Sequence, residues 1–94
     1  SLYDDIMDFF SECQKSEEEP SRISLNEIRL ASHFIDDDFK NQKSVIDRFL
    51  EMLKYKKRIG HSLTLMHECN ILGKLIPEFG ACTNFPLFSY HHQY

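Results

Sequence analysis

The stretch SLTLMHECNILG, residues 62–73, decides the fold. At helical spacing its mostly apolar side chains lie along two neighbouring lines: Leu63, Met66 and Asn70 on one, Leu65, Cys69 and Leu72 on the other. A helix that is apolar over so wide an arc is usually enclosed by other helices. We therefore predict that this segment is the central helix of a bundle, capped at its start by Ser62 and ended by Gly73.

Three more amphipathic helices are predicted upstream, because apolar residues recur there at intervals of three and four. The first covers residues 2–13, with acidic residues near its start that suit the helix dipole. The second begins at the capping-box pattern Ser24-Leu25-Asn26-Glu27 and runs to about Asp36. The third ends in the basic cluster Lys54–Arg58. Its predicted apolar stripe consists of Ile46, Phe49, Leu50 and Leu53, and it follows the stretch Phe39–Gln42.

The composition supports an all-α chain. Three Gly and three Pro in 94 residues are too few for a turn-rich β fold, and 41% hydrophobic residues are enough for one small core. The predicted fold is a small bundle of about four helices, with a solvated connector at residues 15–21, a short turn at 75–79 and an irregular aromatic C-terminal tail at 81–94. Residues 3–80 form the helical domain in this prediction, and residues 1–2 are interpreted as a cloning scar.

The charge argues against general binding to nucleic acids. The formal net charge is −4, whereas such binding depends on clustered Lys and Arg that neutralise phosphates. The charges are also unevenly spread, because residues 1–38 carry eleven acids and three bases while residues 39–94 carry four acids and eight bases. This asymmetry predicts two faces that meet different neighbours.

The chain is predicted to be cytoplasmic and not to enter a membrane. Its three cysteines are odd in number and have no paired spacing, and the sequence shows no secretory leader pattern. No apolar stretch approaches the roughly 18 residues that a membrane-spanning helix needs. Both ends of the sequence suggest a segment of something longer.

Several residues have the types found in catalytic or metal sites, and for each a structural role is the simpler interpretation. Asp36–Asp38 could hold Mg²⁺, but the Gly-Ser strand-turn of a metal-dependent nucleotidyltransferase is absent. His67-Glu68-Cys69 does not continue into the His-Glu-x-x-His zinc pattern, and nothing near Cys69 would lower its pKa. The Lys54–Arg58 cluster is either a solvated helix end or a site for an acidic partner. The pair His91-His92 leaves a ligand or proton-shuttle role open.

The run TLMHECNILGKLIPEFG, residues 64–80, closely resembles the protein-PII uridylyltransferases, in which a helix ends in Leu-Gly and continues into an aliphatic-Pro-Glu-Phe-Gly run. Two other pieces match in the same order. They are Ile35–Phe39 upstream and the Phe88–Tyr94 tail, whose last three residues are similar to the family's His-x-Tyr. The resemblance covers about residues 30–94, and the acidic first helix departs from the family's pattern.

The resemblance implies a helical domain that links a nucleotidyltransferase domain to a His-Asp-type phosphohydrolase domain, with the tail leading into the latter. The parent enzyme would transfer UMP from UTP to a tyrosine of the nitrogen regulator PII and also remove it, and Mg²⁺ is implied as its cofactor. The resemblance assigns no catalytic, cofactor-binding or metal-binding residue to this chain. The residues expected to act at the domain boundaries are Gly73, Pro77, Glu78, Phe79, Gly80, Phe88, Tyr90, His92 and Tyr94.

A physical role can be proposed for the run that carries the resemblance. Gly73 would take the left-handed conformation that stops the helix, Pro77 would fix the next turn, and Phe79 would fold back onto the helix. Glu78 would cap a following turn or pair with a base such as Lys74.

The expected partners are the adjacent domains of the parent and, through the parent, a PII-type protein. An exposed apolar patch at Phe85–Tyr90 would also allow homo-oligomers. The alternative is a stand-alone helical module whose basic Lys54–Arg58 end binds an acidic partner. A reading frame that continues beyond Tyr94 would favour the linking domain, and a stop codon there would favour the module.

Overall fold

Six α-helices and two 3₁₀ helices make up the computed structural model, which describes residues 1–16 and 18–80. In chain order they are α1 (Leu2–Lys15), α2 (Arg22–Ala31), a first 3₁₀ helix (Ser32–Phe34), a second 3₁₀ helix (Asp37–Asn41), α3 (Lys43–Tyr55), α4 (Ile59–Glu68), α5 (Leu72–Leu75) and α6 (Pro77–Gly80). Within these residues no strand occurs. The all-α fold with four main helices is therefore confirmed, while the predicted tail lies outside the described residues.

The core forms where α1, α3 and α4 meet. α1 contacts both α3 and α4, and α5 closes the end of the core against α4 and the second 3₁₀ helix. The prediction that the fourth helix is central is confirmed, because Leu65 and Met66 are buried within it. The buried apolar side chains are Ile6, Met7, Phe10, Ile35, Phe39, Val45, Met52, Leu65, Met66, Cys69, Ile71 and Leu72.

α2 begins one turn earlier than the capping-box pattern predicts. The Ser21 side chain accepts a hydrogen bond from the Ser24 backbone amide at 3.0 Å, so Ser21 is the N-cap and Ser24 lies inside the helix. The helix extends back to this point because nothing stops it before Pro20, which lacks an amide hydrogen. The α-helix also ends at Ala31 and tightens into the first 3₁₀ helix, well short of Asp36.

The buried face of α3 differs from the predicted stripe. Val45 and Met52 are fully buried and Phe49 is partly buried. The remaining predicted residues of α3, Ile46, Leu50 and Leu53, are 38–44% exposed. The apolar side chains of α3 span a wider arc than the surface that packs against the neighbouring helices. The side chains on one side of this arc therefore stay exposed. Phe39, which precedes the predicted stripe, lies in the second 3₁₀ helix.

α4 starts before the predicted cap. Its first residue is Ile59, and Arg58 precedes it in the left-handed conformation, with φ 57° and ψ 23°. Gly60 and Ser62 therefore lie inside the helix, and Ser62 is buried rather than capping. The predicted cap is wrong because the Lys56–Arg58 turn already reverses the chain.

Part of the charge asymmetry along the sequence is satisfied inside the fold. Arg48 of α3 pairs with Asp8 at 2.7 Å and with Asp4 at 3.2 Å, both on α1. Ser44 donates a hydrogen bond to Asp4 at 2.7 Å. This hydrogen bond, with the charge of Arg48, lowers the pKa of Asp4. Arg48 of the third helix thus compensates two carboxylates of the acidic first helix within one domain.

The connector between α1 and α2 is held against the turn between α3 and α4. Glu19 pairs with Arg58 at 2.8 Å, and its other carboxylate oxygen lies 2.7 Å from Nε2 of His61. Arg58 also donates a hydrogen bond to the backbone carbonyl of Ser16. The connector was predicted to be only solvated, and Arg58 was predicted in a cluster that faces solvent or a partner. Instead, both take part in a contact that spans about forty residues of sequence.

Candidate functional site

Two stretches that carry the family resemblance, Ile35–Phe39 and Gly73–Gly80, meet at one end of the bundle. The second 3₁₀ helix contacts α5, and α6 packs on α5. The ammonium group of Lys74 donates to the backbone carbonyl of Ile35 at 3.4 Å. Segments almost forty residues apart in the sequence therefore form a single surface, which we take as the candidate site.

An open cleft of about 350 Å³ lies between these segments. Two carboxylates, Asp36 and Asp37, line it together with three basic side chains, those of Lys40, His67 and Lys74. The volume is near the lower limit for a small-molecule site. Charges of both signs share the rim, which suits a polar contact with another protein surface.

Phe39 fixes the second 3₁₀ helix to the bundle. Its side chain is fully buried, and its ring meets the ring of Tyr3 edge to face with centroids 5.0 Å apart. The Tyr3 hydroxyl donates to Asp38 at 2.7 Å and accepts from the Asp36 amide at 3.2 Å. The hydrogen bond to Asp38 raises the pKa of Tyr3. The aspartates are exposed, as predicted for a solvated helix end, and one of them also positions the site through Tyr3.

Asn70, and not Gly73, ends α4. Asn70 has φ 62°, whereas none of the glycines in the described residues has a positive φ. The Ile71 amide donates to the Met66 carbonyl at 2.8 Å and the Asn70 amide to the His67 carbonyl at 3.0 Å, which is the Schellman pattern. Gly73 lies within α5. The prediction for Gly73 is wrong because Asn also tolerates the left-handed region, and it occurs three residues earlier.

Asn70→Ala is expected to lower the free energy of unfolding by about 1 kcal/mol, because an alanine Cβ is unfavourable in the left-handed region. Gly73→Ala is the matched control, and it should be neutral or stabilising by about 0.5 kcal/mol, since Gly73 is helical and borders the open cleft. Urea unfolding of both variants measures the difference. A larger loss for Gly73→Ala than for Asn70→Ala would contradict this account of the α4 end.

The other residues predicted at the domain boundaries divide into two groups. Pro77 starts α6, followed by Glu78 and Phe79, and Gly80 is its last residue. Pro77 and Glu78 are exposed, and the Phe79 side chain is 37% exposed, so this short helix lies at the surface beside the cleft. The remaining predicted residues, Phe88, Tyr90, His92 and Tyr94, lie outside the described residues, as do His91 and the Phe85–Tyr90 patch.

The two described cysteines are free thiols, of which Cys69 is buried and Cys13 is half-buried. Burial raises the pKa of Cys69 to about 11, and burial also raises the pKa of Cys13. Cys69 points its sulfur toward the Leu25 carbonyl of α2, 3.6 Å away. At neutral pH the Cys69 thiol is protonated, which supports the prediction that it is a small core residue. In residues 1–16 and 18–80 no group of three or more His, Cys, Asp or Glu side chains is placed to hold a metal ion.

Gln14 is a buried polar residue that the sequence prediction overlooked. Its side-chain amide donates to the carbonyl of Met52 at 2.9 Å and to that of Lys57 at 3.0 Å. It thereby links α1 to the end of α3 and to the turn in which Lys56 has φ 67°. The Oε1 atom is buried without a hydrogen-bond partner among the described residues. The sequence does contain a signal for the burial of Gln14, because this residue continues the helical spacing of the buried residues Met7 and Phe10.

The described residues form a small helical domain without strands. The segments Ile35–Phe39 and Gly73–Gly80 form a charged cleft at its surface. None of their helices combines the length and hydropathy needed to cross a membrane. The family model described as the uridylyltransferase GlnD third domain matches residues 4–75. The chain therefore belongs to this family.

Relatives in several bacteria are named bifunctional uridylyltransferase/uridylyl-removing enzymes. The chain is 39% identical over 57 residues to the one from Ectopseudomonas mendocina and 42% identical over 53 residues to the one from Pseudomonas fluorescens, which covers 61% and 56% of the chain respectively. It is 30% identical over 67 residues, 71% of the chain, to the one from Methylococcus capsulatus. The matched regions make up only 6% of the first two relatives and 8% of the third. No solved structure matches the chain.

Proposed function

We propose that this chain is the third, helical domain of a bifunctional uridylyltransferase/uridylyl-removing enzyme, and that it holds the neighbouring domains in a fixed relation without carrying out chemistry itself. The match to the third-domain family over residues 4–75 carries this proposal. The convergence of Ile35–Phe39 and Gly73–Gly80 supports it, because the residues that resemble the family build one surface. The domain would therefore contribute geometry to the enzyme.

The parent enzyme in this proposal transfers UMP from UTP to a tyrosine of a PII-type nitrogen regulator and hydrolyses the product in the cytoplasm. The Mg²⁺ ion that such a transferase needs would be bound by another domain. The described residues of this chain do not fit such an ion, since Asp36–Asp38 are exposed and belong to no cluster of three ligands. Asp38 instead accepts the hydroxyl of Tyr3.

A positioning role also agrees with how the junction is built. The second 3₁₀ helix is fixed by the buried Phe39, and Lys74 reaches across to the backbone carbonyl of Ile35. The end of α4 is fixed by two backbone hydrogen bonds around Asn70. These contacts fix the second 3₁₀ helix and the end of α4 within the domain, so a neighbouring domain that binds this surface would be held in a defined orientation.

The test uses the whole polypeptide encoded by the gene, assayed with UTP and a PII protein. We expect it to add UMP to the PII protein and to remove it, and we expect the 94-residue chain to do neither. In the whole enzyme, Lys40→Ala, His67→Ala and Lys74→Ala should each leave kcat within about threefold, because loss of a general acid or base costs about 10²–10⁴-fold. Lys54→Ala, at an exposed position of α3, is the control. Loss of kcat on the catalytic scale, or UMP release by the 94-residue chain, would contradict a positioning role.

A further inference from the structure

α2 has apolar side chains on two opposite faces. On the inner face, Leu25 and Ile28 pack against the core. Opposite to them, Ile23 and Leu30 are 72% and 66% exposed, and Phe34, in the 3₁₀ helix that continues α2, is 76% exposed. The spacing of seven residues places Ile23 and Leu30 along one line of α2, and Phe34 follows just beyond the end of that helix. A helix at the surface of a domain normally has a polar outer face. We therefore expect that a binding partner covers these apolar side chains.

A basic row runs beside this apolar line. Arg22 and Arg29 are seven residues apart, and both are exposed. Within the described part of the chain, the guanidinium groups that form ion pairs are those of Arg48 and Arg58, while the side chains of Arg22 and Arg29 make neither an ion pair nor a hydrogen bond. The outer face of α2, by which we mean Ile23, Leu30 and Phe34 with Arg22, Glu27 and Arg29, carries two positive charges and one negative charge. Because its net charge is positive, it is complementary to an apolar surface edged by carboxylates.

The size of this face helps to identify the occupant. Three side chains give a patch of a few hundred Å², which on a monomer usually marks an interaction site. A stable complex between separate proteins buries about 800 Å² on each partner, which is more than this patch provides. A second domain in the same polypeptide needs less, because its effective concentration is in about the millimolar range. The relatives have such domains available, since the chain matches only 6–8% of their length.

We infer that the outer face of α2 is the surface on which an adjoining domain of the same polypeptide docks, through an apolar area edged by carboxylates that pair with Arg22 and Arg29. The inference rests on the proposed function, because it assumes that the chain is one domain of a larger enzyme. It assigns the positioning role to the outer face of α2, which is separate in sequence from the Gly73–Gly80 segment.

Alkylation of a thiol introduced by Glu27→Cys tests this inference. Glu27 is exposed and lies between Ile23 and Leu30 on the outer face. Glu51→Cys, at an exposed position of α3, is the matched control. The rate of reaction with a maleimide is measured by peptide mass spectrometry, which separates each introduced thiol from the native ones. Circular dichroism verifies that both variants are helical.

The thiol at position 27 is expected to react about tenfold more slowly in the whole polypeptide than in the 94-residue chain, as for a docked state populated at about 90%. The thiol at position 51 should change less than about twofold. Adding Arg22→Glu and Arg29→Glu to the whole polypeptide should restore most of the rate at position 27, because these changes place carboxylates against carboxylates. Equal slowing at positions 27 and 51, or no effect of the two charge reversals, would overturn the inference.

Two further outcomes separate this inference from the proposed function. If the whole polypeptide transfers and removes UMP while position 27 reacts as fast as in the 94-residue chain, the docking face is wrong and the proposed function stands. If the whole polypeptide has neither activity, the proposed function fails whatever the thiol does. Slow, concentration-dependent alkylation in the 94-residue chain would show that a second copy covers the face, which also overturns the inference.

Discussion

Phe39→Ala is expected to lower the free energy of unfolding by about 3–5 kcal/mol, the usual cost of removing a buried phenyl ring. The Phe39 side chain has no exposed surface, and its ring packs edge to face against Tyr3. It lies in a five-residue 3₁₀ helix that contacts α3 and α5, and so short a helix has little stability of its own. Loss of the ring should therefore leave a cavity and also loosen the segment that borders the cleft.

Phe34→Ala is the matched control for this prediction. Phe34 ends the first 3₁₀ helix, only five positions before Phe39, but its side chain is 76% exposed. Its loss should change the free energy of unfolding by less than about 0.5 kcal/mol. Urea unfolding followed by circular dichroism measures both variants. Similar losses for the two variants would show that burial at position 39 does not stabilise the domain.

Gln14→Glu is expected to lower the free energy of unfolding at pH 7 by about 3 kcal/mol. A carboxylate in place of the amide would face the carbonyl oxygens of Met52 and Lys57 without a hydrogen to donate, and it would lie in a site that is 2% exposed. Gln14→Met is the control. It keeps the length of the side chain and removes the unpartnered Oε1, so it should cost only about 1–2 kcal/mol.

The loss in Gln14→Glu should depend on pH with a definite sign. Burial raises the pKa of the new carboxyl group in the folded state above the value of about 4.3 that it has in the unfolded chain. The loss is therefore smallest below that value, where both states are protonated, and grows as the pH rises toward the folded-state pKa. Unfolding at pH 4 and pH 7, each relative to the unaltered chain, measures this. An equal loss at both pH values, or the same loss in Gln14→Met, would contradict the assigned hydrogen bonds.

The four long helices could be predicted from the sequence, whereas the short helices and several boundaries could not. Apolar spacing identifies each long helix because it depends only on which side chains share a face. Which residue caps a helix depends on which of several neighbouring candidate residues the helix extends to. Ser21 and Ser24 both have the right chemistry, and the earlier residue becomes the cap because the helix can extend back to it. Asn70 ends α4 before Gly73 can, although Gly has the stronger intrinsic preference.

The candidate site was predictable only in part, for a related reason. The residues that resemble the family could be recognised individually, but their spacing does not indicate that Ile35 and Lys74 lie in contact. Gln14 was overlooked because a glutamine at a helical position usually faces water, and only the fold places two carbonyls beside it. The side of the α3 arc that is buried likewise depends on which helices pack against it. Long-range contacts decide all three features.

The pairing of α1 with α3 affects the order in which the domain can form during synthesis. Arg48 follows Asp8 by forty residues, so for several seconds the emerging first helix has no partner for its carboxylates or its apolar face. α3 and α4 must be synthesised before α1 can bury Phe10. A chain truncated before that point would leave an acidic amphipathic helix with its apolar face exposed. Nascent chains of this protein should therefore acquire protease resistance abruptly and late, once α4 has cleared the exit tunnel.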